Sequence, residues 1–294
     1  MIKKTLFFSK KYSLSTKNNQ LVIKNETEIR TIPIEDIGYI IIENQEIYIS
    51  IPAISQLVSN NVAVIFCDTT HMPQSMLLNL DGHYIQQEIF KEQIQATTPL
   101  KKQLWQQVIQ QKITNQGLLL DRLEKKEHPL AYYSSKVLSG DSSNREAVAA
   151  SFYWKNLFDF EFVRMRNGDY PNAFLNYGYT ILRAATARAL SGSGLLNTLG
   201  IYHKNKYNAF ALADDIMEPY RPAVDEAVLE LIHKYDELLL TSEMKAALLQ
   251  VLTRTVYFKD EKSPLMVGLQ KTASSLQQCF TGERKKIKYP ALWN

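Results

Sequence analysis

The sequence predicts an α+β protein, with a small N-terminal β-rich domain at residues 1–84 and a larger all-α domain at residues 85–294. Three observations carry this expectation. Up to about Tyr84, short β-branched and aromatic runs alternate with turn residues. Beyond it, apolar residues recur at three- and four-residue spacing over long stretches. No internal repeat and no low-complexity segment interrupts either half.

In chain order, Thr5 to Ser9 reads as a strand. Tyr12 to Thr16 and Gln20 to Lys24 flank Lys17-Asn18-Asn19, a hairpin signature. Glu28 to Ile32, Ile37 to Ile42 and Ile47 to Ile51 read as further strands. Pro52 to Asn60 reads as a short helix with Ile54, Leu57 and Val58 on one face. Val62 to Phe66 and Met76 to Leu80 close the β-rich part. Tyr84 to Gln95 forms a bridging helix, with 85–98 as the linker. Leu100 to Lys125 is a long amphipathic helix whose core candidates are Leu104, Val108, Ile113 and Leu118 to Leu120. Helices are also expected over 142–165, 172–191, 218–237 and 242–258.

Bulk properties exclude several classes. The 294 residues are 45% hydrophobic and 22% charged, ordinary for a globular chain and far from a disordered one. The net charge of +4 permits a polyanionic partner without requiring one. Cys67 and Cys279 stand alone, at no metal-ligand or disulfide-framework spacing, which fits a reducing cytoplasm. The basic N-terminus has too short an apolar stretch for a signal peptide, and no run approaches the ~20 apolar residues of a membrane span.

Three segments carry candidate chemistry. In the first, Asp141-Ser142-Ser143 supplies N-cap residues, and Glu146 sits three after Ser143, as in a capping box. Glu146 is therefore a cap or a metal ligand on a close-packed, Ala-rich helix. In the second, His203 follows a turn at Gly200 and precedes a basic, polar loop. It reads as a structural histidine or as a ligand. In the third, Asp214, Asp215 and Glu218 cluster beside Pro219 and Pro222. This is a solvated acidic turn near a helix start, or a carboxylate group that needs a cation to relieve its repulsion. On the second view, removing one crowded carboxylate stabilises the metal-free fold.

Glu146, His203 and Glu218 together make a plausible hard-ion site. Two carboxylates with one imidazole suit Mg2+ or Mn2+ better than zinc. Such an ion keeps positions open for water and phosphate oxygens. Asp215 is placed to orient His203 or a bound water from behind. Arg145, Lys155, Arg164, Arg166, Lys204, Lys206 and Arg221 fall near these ligands in sequence. Tyr153, Trp154, Tyr202, Tyr207 and Tyr220 are interleaved with them. Together they read as a DNA-binding surface with stacking aromatics such as Tyr207, or as core aromatics beneath a solvated basic face. Arg284-Lys285-Lys286-Ile287-Lys288 reads as an exposed tail.

With these segments in view, the chain resembles the integrase subunit of the CRISPR adaptation machinery, most like the type II branch, over essentially its whole length. Four stretches carry the resemblance: Glu146 to Trp154, Asn172 to Leu182, Gly200 to His203 and Asp215 to Pro222. Many relatives carry Asp where this chain has Glu218. The resemblance implies that Glu146, His203 and Glu218 are the catalytic metal-binding positions of the α-helical domain. It implies a metal-dependent endonuclease and integrase acting on double-stranded DNA. The ion directs the 3′-hydroxyl of a foreign fragment onto a phosphodiester at the edge of CRISPR repeat DNA, with hydrolytic nicking as a related activity. It further implies a homodimer formed through the β-rich domain, and two such dimers clasping a dimer of a small second adaptation subunit in a heterohexamer. No membrane is involved. Two other readings stay open: a metal-dependent DNA nuclease in repair, and a non-catalytic DNA-binding scaffold.

Overall fold

The computed structural model describes the chain except residues 1, 2, 80, 81, 126, 166, 167, 169 and 236–238. The chain divides into two compact units, Met1–Tyr84 and Ile85–Asn294.

The first unit is built from β1 (Lys4–Phe8), β2 (Ser13–Lys17), β3 (Gln20–Lys24), β4 (Ile29–Pro33), β5 (Ile37–Ile42), β6 (Tyr48–Ile49), α1 (Ile51–Ser59), β7 (Ala63–Cys67) and β8 (Pro73–Leu77). These strands form two four-stranded sheets, ordered β1-β5-β7-β8 and β4-β3-β2-β6. β2 and β3 pair antiparallel from Ser13↔Lys24 to Lys17↔Gln20. The turn between them is Asn18-Asn19, with φ of 50° and 58°. A two-residue turn needs this left-handed backbone to match the strand twist, and asparagine tolerates it. β5 is buried at every position, which explains its unbroken apolar run. Its Ile40 and Ile42 pack with Leu14 and Leu21 of the other sheet and with Ala53 and Leu57 of α1.

Several boundaries differ from the sequence expectation. The strand expected over Ile47 to Ile51 is only Tyr48–Ile49, because Ser50 caps α1 by accepting from the Ala53 N–H. The strand expected over Met76 to Leu80 runs from Pro73 to Leu77, since its register is set by pairing with β7. Leu80 lies outside the described residues.

The second unit comprises α2 (Gln86–Gln95), α3 (Thr98–Arg122), α4 (Leu130–Ser135), α5 (Arg145–Leu157), α6 (Asn172–Gly192), α7 (Ala211–Met217), α8 (Arg221–Lys234), α9 (Ser242–Leu249), β9 (Thr255–Tyr257), β10 (Lys262–Pro264) and α10 (Leu265–Phe280). A 3-10 turn, Glu218–Tyr220, joins α7 to α8. The unit is helical but not all-α. The segment expected as helix over 242–258 ends at Leu249, passes through a 3-10 turn and enters the β9–β10 hairpin. The helix expected over 142–165 ends at Leu157, and that expected over 218–237 runs from Arg221 to Lys234. Residues 236 and 237 lie outside the described residues.

α3 forms the axis of this unit and packs on α4, α5, α8 and the 218–220 turn. Its buried stripe includes Leu104, Trp105, Val108, Ile109, Ile113, Leu119 and Leu120. Each such side chain contributes roughly 1.5–3 kcal/mol when fully buried. α6 packs on α7, α8, α9 and α10. α2 is pinned within the unit by the buried Gln93, whose side chain bonds the backbone of Leu196 and Leu199. The C-terminal segment is a strap, not a loose tail. Gln107 bonds Lys285 O and Ile287 N, Ser275 Oγ accepts from Lys288 N, and Ile287 is buried. Arg284, Lys285, Lys286 and Lys288 stay exposed along it. No helix among the described residues is long and apolar enough to cross a membrane.

Candidate active site

Glu146 stands in the first turn of α5. The expected capping box with Ser143 does not form: Ser143 Oγ is buried without a hydrogen-bond partner. The carboxylate of Asp141 caps the helix instead, accepting from Arg145 N at 2.8 Å and Glu146 N at 3.0 Å. Asn144, the residue before the helix, takes a left-handed φ of 50° that lets the chain turn over this cap. With the N–H groups already satisfied, the Glu146 side chain is free to point elsewhere.

It points to Lys112 of α3, whose ammonium donates to Glu146 Oε1 at 2.6 Å. The same Nζ lies 2.7 Å from Glu218 Oε2. On its other side, Glu218 Oε1 lies 2.8 Å from the Arg221 guanidinium. Glu218 is held in place because α3 reaches the turn beneath it: Asn115 Nδ2 donates to Pro219 O at 2.7 Å. Burial works against ionisation of Glu218, but Arg221 and Lys112 outweigh it and hold its pKa below the ordinary carboxylate value. Burial likewise works against the Lys112 ammonium, and Glu218 and Glu146 overcome it, so its pKa is raised. Glu218 Oε2 is buried and ion-paired to Lys112.

His203 ends the turn that begins at Gly200. Asp215 of α7 is wholly buried beneath this turn and accepts from the N–H groups of Ile201 at 2.6 Å, Tyr202 at 3.0 Å and His203 at 3.3 Å. Its Oδ1 also lies 2.5 Å from His203 Nδ1. A carboxylate only accepts, so Nδ1 carries the proton and Nε2 is the ring's remaining donor atom to a ligand. The close approach requires glycine at 200, where a Cβ would lie 2.6 Å from His203 O and 2.9 Å from Asp215 Oδ2. Trp105 of α3 stacks on Tyr202 with centroids 4.3 Å apart and meets the His203 ring edge-on at 5.9 Å. The hydrogen bond to Asp215, with help from the charges of Glu218 and Asp214, raises the His203 pKa.

The acidic cluster expected to repel itself is resolved by separate partners. Asp214 is clasped by Arg183 at 2.6 and 3.0 Å and by Asn208. Asp215 serves the turn and His203, while Glu218 serves Lys112 and Arg221. The repulsion argument from sequence therefore falls away.

The basic and aromatic candidates split into two groups. Lys155, Lys204, Lys206 and Tyr207 are exposed, with the Lys206 ammonium 4.9 Å from the Tyr207 ring centre. Arg145 is half-buried beside Glu146. Arg164 bonds Asn172 and Asn176 and lies over the Tyr179 ring, and Arg221 lies over the same ring. Both guanidiniums thus have internal partners. Arg166 lies outside the described residues. Tyr153 and Tyr220 are core side chains, fully buried.

Two features were missed from sequence. Lys112 reads as a solvent-facing position, but it lies four residues from Val108 and seven from Leu119, on the buried stripe of α3. Asp225 of α8 reads as an ordinary helix carboxylate. It is buried and accepts from the hydroxyls of Tyr153, at 2.7 Å, and Tyr179. Burial pushes its pKa up to about 6, against the lowering effect of the two hydroxyls.

A divalent ion fits this donor chemistry on two observations. Two glutamates from different elements already share one cation, and the buried Oε2 of Glu218 has that cation as its partner. Among the described residues no three His, Cys, Asp or Glu side chains close around a common point; the shared cation is Lys112 itself.

The chain matches the family model described as CRISPR associated protein Cas1 over residues 6–237. It is 37% identical over 286 residues to a CRISPR-associated endonuclease Cas1 from Neisseria meningitidis serogroup C (strain 8013), covering 95% of this chain and 93% of that protein. Its fold is similar to that of a casposase bound to integration product, with a TM-score of 0.80 at 20% identity, covering 98% of this chain and 93% of that one. It is also similar to a chain of a Cas6-RT-Cas1–Cas2 complex, with a TM-score of 0.73 at 21% identity, covering 96% of this chain and 35% of that one.

Proposed function

Because the chain belongs to the family of CRISPR-associated Cas1 proteins, we propose that it is a metal-dependent DNA integrase and endonuclease that inserts foreign fragments into a CRISPR array. The observation that carries this reading is the meeting of Glu146 and Glu218, from α5 and the 218–220 turn, around one buried cation. The charge of Glu218 also acts on His203, whose Nδ1 is committed to the buried Asp215 carboxylate.

The reaction is a transesterification. The 3′-oxygen of the incoming fragment bonds to phosphorus, one P–O bond of the target strand breaks, and the departing oxygen becomes a new 3′-hydroxyl. One phosphodiester replaces another, so no external energy source is needed. With water as nucleophile the same site nicks. Mg2+ or Mn2+, held by Glu146, Glu218 and His203 Nε2, would supply Lewis-acid polarisation of the phosphodiester.

The chain's own groups do the rest. Asp215 fixes the His203 tautomer and ring direction. Arg221, ion-paired to Glu218 and lying over Tyr179, holds that carboxylate in one orientation. Exposed Lys155, Lys204, Lys206 and Tyr207 offer phosphates an attractive surface and a stacking face.

Full insertion needs two attacks on opposite strands, so one particle must present more than one site. The reading therefore includes a homodimer through the first unit and assembly with a small second adaptation subunit into a heterohexamer. Exposed Ile29, Tyr48 and Ile51, at 64%, 68% and 72%, support an interface on that unit. The fold likeness to a chain of a Cas6-RT-Cas1–Cas2 complex supports the second subunit.

The test is strand transfer of a labelled duplex with 3′-hydroxyl ends into repeat-bearing plasmid DNA, with Mn2+ or Mg2+. Wild type gives joined products only with metal, and His203→Ala gives none while still binding DNA. Hydrolysis products alone favour a nuclease. Equal joining by His203→Ala overturns the assignment of this site.

A further inference from the structure

We infer that Lys112 is a built-in counter-cation of this site, which holds Glu146 and Glu218 together until a divalent ion displaces it. The inference rests on the metal-dependent reading above and deepens it, by naming what the metal competes with.

Geometry is the first support. The Lys112 ammonium bridges the two glutamates, 2.6 Å from one and 2.7 Å from the other, and the side chain is only 12% exposed. A buried ammonium at such a position satisfies the carboxylates in the way a small cation does. The division of labour at Glu218 is the second support. Its Oε1 is paired with Arg221, so Oε2 has the Lys112 ammonium as its partner and is the oxygen a replacing ion would take.

Charge balance is the third. Glu146 and Glu218 carry two negative charges, and Lys112 with Arg221 carries two positive ones. His203 and its partner Asp215 form a separate pair alongside. A divalent ion added beside the ammonium would face like charge at close range, where low dielectric strengthens repulsion. Releasing the lysine removes that repulsion and frees two carboxylate oxygens at once. Lys112 thereby sets the metal concentration at which the site fills. A lysine that is only structural, or that only binds phosphate, would leave metal affinity unchanged.

The experiment compares Mn2+ binding to the metal-free wild type and to Lys112→Met, by electron paramagnetic resonance of free Mn2+, together with melting curves. The variant is expected to melt lower without metal, to bind Mn2+ at least about tenfold more tightly, and to gain more in melting temperature from Mn2+. If Lys112→Met does not fold without metal, Lys112→Gln carries the same comparison, since its amide still donates to one glutamate. Equal or weaker Mn2+ binding by the variant, with wild-type binding intact, overturns the counter-cation role and leaves the metal site standing. Failure of both proteins to bind Mn2+ overturns the metal reading itself, and this inference with it.

Discussion

Oδ1 of Asp215 lies 2.5 Å from Nδ1 of His203, and the same carboxylate closes the backbone turn on which that histidine stands. One buried side chain thus sets both where the imidazole is and which way its other nitrogen faces. Asp215→Asn removes the charge and, with it, the ability to accept from every donor. The cost is about 1–3 kcal/mol, the range for leaving a buried donor unsatisfied. The His203 pKa, raised by this partner, falls toward the ordinary value. Because the folded-state pKa is the higher one, the pair's stabilisation is full below about 6.5 and is lost as pH rises through the folded value. Titration of the metal-free protein followed by the His203 ring resonances checks this; an unchanged midpoint in Asp215→Asn contradicts it.

The cap of α5 is Asp141, although Ser143 stands in the position that the sequence pattern favours. Asp141→Ala is expected to cost about 1–2 kcal/mol and to loosen the first turn, where Glu146 sits. Ser143→Ala is expected to change stability by less than about 0.5 kcal/mol, because its hydroxyl has no partner to lose. Denaturant melts of the two variants decide between the caps. The reverse ranking restores the capping box.

What was legible in the sequence follows from how local the cause was. Ile37 to Ile42 announces itself because a strand buried on both faces has no polar alternation to hide it. Asn18-Asn19 announces a hairpin because few residues accept its backbone. α10 was not foreseen, although Leu265, Leu269, Ala273, Leu276 and Phe280 recur at three- and four-residue spacing on its buried side. β9 was read as helix because three residues are too short to show alternation, and its pairing with β10 is what makes it a strand. At the site, Glu146, His203 and Glu218 are singled out by their chemistry and by resemblance, and the structure brings Glu146 and Glu218 to one shared ammonium. Lys112 was not, because a charged residue in an amphipathic helix reads as its wet face. Its burial depends on two glutamates distant in the chain.

Asp225 makes the second unit's stability depend on pH in a defined window. Burial raises its carboxyl from 3.8 to about 6, so the folded state holds that proton more tightly than the unfolded chain. Its contribution is full below about 4 and is lost as pH rises through about 6. At 1.36 kcal/mol per pH unit the change is about 3 kcal/mol. Asp225→Asn is expected to abolish this slope, so its stability relative to wild type rises between pH 4 and 6 and is flat above. Urea denaturation across that range measures the difference directly. A difference that does not vary with pH contradicts the assignment.

Glu218→Ala tests the charge balance of the site without any metal. From the crowding of Asp214, Asp215 and Glu218, sequence reasoning expects removal of one carboxylate to relieve repulsion and stabilise the metal-free fold. The structure reverses that expectation. Glu218 is 5% exposed and lies between the Lys112 ammonium and the Arg221 guanidinium, so its loss takes the carboxylate from the largely buried Arg221 and leaves Lys112 with Glu146 alone. Breaking a buried pair in this way costs about 3–5 kcal/mol. Glu146 is 27% exposed and shares Lys112 with Glu218, so Glu146→Ala is expected to cost less. The order Glu218→Ala below Glu146→Ala below wild type, in melts without added metal, is the expected result. A Glu218→Ala protein that melts above wild type would mean that repulsion, not pairing, governs this cluster.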